Sequence, residues 1–278
     1  MMLALIIGVS LGVLTAALWA IGAREQCFAI SKGSGPHWFI AIRGEPGALK
    51  PDVSERWRSL ADFGLISGPP EDAYWRHFII ASGGDPAQLP IDLGTAEDAY
   101  IARISLRCPP ALLFGVLKTL VGLRILTKPE GPIVQDAQTL SFRGDIMPSA
   151  ASIARLLAQP PNYAPAMVNF LAYHKDAQYR TSAPGISGRR AYLRYGVVAV
   201  RTVYRTGGHL LFTGRVLDVL REASAGPSVG RWDDVAAMRY PNPPAILSME
   251  HAPDYHAALD DREAGLERTI VIATTPGI

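Results

Sequence analysis

The chain has 278 residues, 49% of them hydrophobic and 19% charged, and its 27 basic side chains nearly balance 25 acidic ones. That balance supplies no clustered basic stripe for a nucleic-acid partner, and the apolar fraction argues against disorder. Two cysteines, Cys27 and Cys108, are too few for a disulfide framework and lack zinc-site spacing, so both read as inert.

Residues 1–23 carry no charged side chain; the first arrive at Arg24 and Glu25. About 20 apolar residues at 1.5 Å rise span a bilayer core, so the expectation is a single-pass N-terminal transmembrane helix, in the inner membrane if the chain is bacterial. The alternative is a signal peptide cut near the small residues Ala20, Gly22 and Ala23, which would leave a secreted or periplasmic protein. Arg24 and Lys32 behind the run favour a cytoplasmic body. A second apolar run, 109–127, is interrupted by Lys118 and Arg124 and reads as a packed helix, or one lying on a membrane surface.

Residues 37–127 read as an α+β module. HWFIAIRG (37–44) alternates like a strand, and PDVSERWRSLADFG reads as a helix with Asp52 or Ser54 as its cap. FGLIS, YWRHFIIAS and AYIARISLR are further strands. A Pro- and Gly-rich connector, 128–164, holds one helix candidate, SAASIARLLAQ.

The pattern sharpens over 165–278. AMVNFLAYH has the composition of a buried strand, and the helix-permissive run after Ser187-Gly188 is stopped by Gly207-Gly208. HLLFTGRVLDVL and WDDVAAMRYP form a hairpin, with Val235, Ala237 and Arg239 alternating against Ala236, Met238 and Tyr240. Trp232-Asp233 occurs once, against a WD-repeat propeller. PPAILSME and PDYHAALDDREAGL are helices opened by proline, and TIVIATT is the last strand. The order is β-α-β-β-α-β, the ferredoxin-like motif.

MVNFL, AYLRY, TGGHLLFTG, WDDVAAMRYP and PDYHAALDDREAGLERTIVIATTP resemble the bacterial domain of unknown function 1330, of the dimeric α/β-barrel superfamily, over about residues 165–276. The family's usual Tyr-Pro-Ser stands here as Tyr240-Pro241-Asn242. The resemblance implies a four-stranded sheet paired face to face with a second one and a pocket between sheet and helices. The companion is either a second copy, giving a homodimer, or the N-terminal module, giving an intrachain pseudo-dimer. No reaction, cofactor or metal is implied.

Within that pocket the expected ligand contacts are Asn169, Tyr192, Tyr240 and Tyr255. Asn169 is a polar residue in an apolar strand and must be hydrogen-bonded to backbone or ligand. His209, at a strand start, is a candidate base, or a structural hydrogen-bonder. Tyr255, Leu259 and Arg262 share a helical face, and a buried Arg262 needs an anionic ligand or a salt bridge with Asp233, Asp234 or Glu263. In an enzyme, Tyr195, His209 and Arg262 would polarise a small carbonyl or aromatic compound without a cofactor. His251 and His256, with Asp254 and Asp260 nearby, lack a third ligand of metal-site spacing. The contrasting expectation is a non-catalytic, membrane-tethered interaction or scaffold module without a functional cavity.

Overall fold

Runs of β-branched and aromatic residues too short for helices dominate the chain between residues 37 and 107 and again after 165, and in the computed structural model they pair into a single sheet. The structure describes residues 2–277 apart from 25–32, 133, 134, 136, 142 and 182–184, and of residues 2–6 the backbone alone. Cys27 and Lys32 therefore lie outside the described residues. The strands are β1 (His37–Arg43), β2 (Val53–Ile66), β3 (His77–Gly83), β4 (Asp98–Arg107), β5 (Ala166–Tyr173), β6 (His209–Arg221), β7 (Asp234–Arg239) and β8 (Leu266–Pro276). They close an antiparallel barrel in the order β1-β3-β2-β8-β5-β7-β6-β4. The α+β class holds.

Each half of the barrel has the same internal order. In the second half β8-β5-β7-β6 sit side by side, with α4 (Gly188–Arg205) after β5, and α5 (Pro243–Leu247), a 3-10 turn (Ser248–His251) and α6 (Pro253–Gly265) between β7 and β8. The first half repeats the order as β4-β1-β3-β2 without helices between its strands. Two seams join the halves: β2 to β8, where Ser59 faces Pro276, and β4 to β6, where Arg107 faces Thr213.

β2 corrects the expected helix after Asp52. Register shifts at Glu55/Trp57, Ala61/Phe63 and Gly64/Ile66 break its alternation, so its pattern resembled neither a clean strand nor a clean helix. Pairing on both edges, with β3 and β8, overrides the weak helical propensity of the stretch.

Alternate residues of β1 show why both faces of the sheet are apolar. Phe39 and Ala41 point into the barrel, where Phe78, Tyr100, Phe170, Phe212 and Trp232 fill the interior. Phe170 makes edge contacts with Phe39, Phe78, Tyr100 and Trp232 at centroid distances of 5.2–6.3 Å. Trp38, Ile40 and Ile42 point outward, under the loops 44–52 and 84–97, which a bridge between Leu49 and Ile91 ties together. The outer face of the second half is covered by α3 (Ala150–Leu157), α4 and α6.

Residues 2–23 form one helix, α1 (Met2–Ala23), but among the described residues no helix is long and apolar enough to cross a membrane. This corrects the expected transmembrane anchor. Instead α1 lies along α2 (Ala111–Gly122), touching at glycine: a Cβ at Gly22 would fall 1.8 Å from the Ala111 carbonyl oxygen, and one at Gly115 would fall 1.7 Å from that of Leu18. A helix seated on another apolar helix and a helix crossing lipid are alike in composition, so apolarity alone did not separate them.

Candidate functional site

The second half of the barrel and its helices do not pack solid. A cavity of about 610 Å³ lies between the outward face of β5, β7 and β8 and the helices α4 and α6, within the range of small-molecule sites. Its walls are mostly apolar, with Leu65, Met167, Leu171 and Val271 from the strands and Leu247 and Met249 from the segment leading to α6. Where the lining reaches the surface, the exposed Leu113 of α2 and the exposed Leu193 and Val197 of α4 frame the opening.

Helix α4 carries tyrosine to the inner wall because Tyr192, Tyr195 and Ala199 recur on one face; its first turn is held by Ser187, whose hydroxyl accepts from the Arg190 amide. Tyr195 and Tyr255 of α6 meet hydroxyl to hydroxyl at 3.0 Å. Tyr192 leans against Tyr195 and Tyr173, and the Tyr240 hydroxyl donates to Met249 Sδ at 3.5 Å. Burial raises the pKa of all five lining tyrosines, 173, 192, 195, 240 and 255, so they stay neutral and able to donate.

Arg262 is the cation of this wall. It is buried, its guanidinium lies 5.8 Å from the centroid of the Tyr195 ring, and Nη1 donates to Met147 Sδ at 3.0 Å. Among the described residues no carboxylate lies within ion-pair distance of it. Of the acids expected to serve, Asp234 holds Arg189 at 2.8 Å and accepts from the Tyr173 hydroxyl, Asp233 holds Arg231 at 2.7 Å, and Glu263 makes no ion pair with Arg262. A thioether is a weak acceptor and leaves the charge uncompensated.

Glu250, at the end of the 3-10 turn, also lines the cavity, and the sequence reading missed it. Its Oε2 is shut off from solvent and has no hydrogen-bond partner among the described residues. Burial pushes its pKa up to about 7, outweighing the opposing pull of Arg262. Among the described residues no group of three metal-ligating side chains comes together. Asp254 holds Arg201 and Arg205, and His251 Nε2 contacts the Pro132 carbonyl.

The remaining expected residues divide. Asn169 lines the cavity with its Nδ2 donating to the Met167 carbonyl at 2.8 Å. His209 does not join Tyr195 and Arg262: its neighbour Leu210 lines the cavity, while His209 is not among the lining residues. Burial, helped by Lys118 and Arg239, lowers its pKa to about 4. The expected trio of Tyr195, His209 and Arg262 is thus not assembled, while Tyr195, Tyr255, Glu250 and Arg262 share one wall.

No family model matches the chain, and no curated protein does. A solved structure of a protein of unknown function from Rhodopseudomonas palustris is 26% identical, covering 48% of this chain and 97% of that protein, with a TM-score of 0.42. A structure of the methylated form gives 25% identity, 48% and 94% coverage and the same TM-score.

Proposed function

We propose that the chain is a small-molecule-binding protein whose largely apolar ligand fills the cavity beside α4 and α6, with its polar end at Arg262. The observation that carries this reading is a buried guanidinium, without a carboxylate partner among the described residues, facing a cavity of about 610 Å³. Such a charge is costly unless something anionic or strongly polar meets it. The cavity itself speaks against a scaffold with no functional pocket.

Binding of the dye 8-anilinonaphthalene-1-sulfonate, which joins an apolar ring system to an anion, tests the reading. Arg262→Met should keep the fold and weaken the dye about 10- to 100-fold, the range of one charge-assisted hydrogen bond. Unaltered dye affinity in folded Arg262→Met would refute it.

A cofactor-independent enzyme acting on a small carbonyl or aromatic compound is the second reading. It is favoured by the Tyr195–Tyr255 hydroxyl pair next to Arg262, since neutral donors beside a cation suit an oxygen that gains charge. Turnover that survived Tyr255→Phe and Arg262→Met together would refute it.

A further inference from the structure

The wall that holds Arg262 has a charge balance that bears on which ligand it takes. Arg262 brings one positive charge. The tyrosines of the wall, Tyr195 from α4, Tyr255 from α6 and Tyr240 at the end of β7, are held neutral by burial. Among the described residues Arg262 is the only charged group acting on Glu250. On its own turn, His251 is directed to the Pro132 carbonyl. The empty wall is therefore net positive whenever Glu250 keeps its proton, and one further negative charge would neutralise it.

Resting on the ligand-binding reading above, we infer that the wall takes the carboxylate of a largely apolar monocarboxylic acid, gripped by Arg262 while protonated Glu250 donates a hydrogen bond to it. Two oxygens of one carboxylate are enough for both partners: the guanidinium donates to one or both, and the Glu250 hydroxyl to whichever remains exposed. The unpartnered Oε2 gains its missing hydrogen bond in the same step. Ionised Glu250 would place two carboxylates against one guanidinium in an apolar wall, and like charges there repel strongly. The apolar lining then encloses the chain or ring of the acid. A neutral alcohol or ketone would leave the Arg262 charge unmatched.

The consequence is that ligand uptake and proton uptake are linked. With the free carboxyl titrating at about 7, and bound carboxylate requiring the protonated form, affinity is nearly constant below that pH and falls tenfold per unit above it. The fall from about pH 6 to about pH 8.5 is then roughly 30-fold. Decanoate is ionised at both values, so its own titration contributes nothing.

The test is calorimetric titration of the full chain with decanoate and with 1-decanol, the neutral molecule of the same chain length, at those two pH values. Wild type should bind decanoate with the roughly 30-fold fall, and Glu250→Gln should bind it equally at both. Should that variant fail to fold, Glu250→Met, equally unable to ionise, carries the same expectation. A fall in Glu250→Gln matching wild type would overturn the inference. Binding of decanol but not decanoate would overturn it and leave the cavity reading intact, and binding of neither probe would overturn both.

Discussion

Replacing Glu250 by glutamine should stabilise the ligand-free protein at high pH and leave it unchanged at low pH. Burial lifts the carboxyl from its ordinary 4.5 to about 7, so the folded chain keeps a proton that the unfolded chain releases. Stability from this group is fully present below about pH 4.5 and is lost as pH rises through about 7. At 1.36 kcal/mol per pH unit the loss is about 3 kcal/mol, and glutamine, a neutral amide of the same shape, escapes it. Wild type alone would conceal the effect, because His209 acts in the opposite sense: its lowered pKa removes stability as pH falls from about 6.5 toward 4. The difference between variant and wild type cancels every shared group. Urea denaturation followed by tryptophan fluorescence, at about pH 4 and about pH 8, should give a difference near zero and then about 3 kcal/mol, with equal slopes. A difference of the same size at both pH values would refute the reasoning.

Three other changes probe the frame. His209→Leu should reduce the acid loss of stability between about pH 6.5 and 4, by at most about 3 kcal/mol, while leaving dye binding in the cavity unchanged; thermal melts across that range check it. Phe170→Ala removes the ring at the centre of the barrel's aromatic cluster and should cost about 3–5 kcal/mol in urea denaturation, since the surrounding rings cannot collapse onto the space. Gly115→Val drives a side chain into the Leu18 backbone and should displace α1 from α2. Spin labels at Leu14 and Leu112 would report this as a broadened distance distribution, with the barrel's melting unaffected.

Much of this architecture was legible because its signals are local. β1 and β5 show as short apolar runs, and α4 shows through the spacing of Tyr192, Tyr195 and Ala199 and through Gly207, which adopts a φ of 86° just past the helix end. Of β2 only the end, in FGLIS, was legible, because bulges erase the period of two along the strand and its partner β8 lies about 200 residues away. In the site, Asn169, Tyr192, Tyr195, Tyr240, Tyr255 and Arg262 all reach the cavity. His209 does not, and a lone histidine at a strand start gives no sign of where its ring will lie. Glu250 left little trace: what isolates it is the packing of its short turn against α6, and the run AILSME before α6 shows only an acid after apolar residues.

The strand order β4-β1-β3-β2 echoes β8-β5-β7-β6, yet helices connect the strands of the second half alone. Over the other flank two loops rest directly on Trp38, Ile40 and Ile79, all of them fully buried. An arrangement of two equal halves would offer a pair of chambers. Here the helical flank borders the cavity of about 610 Å³, and the half under the loops acts as a buttress for it.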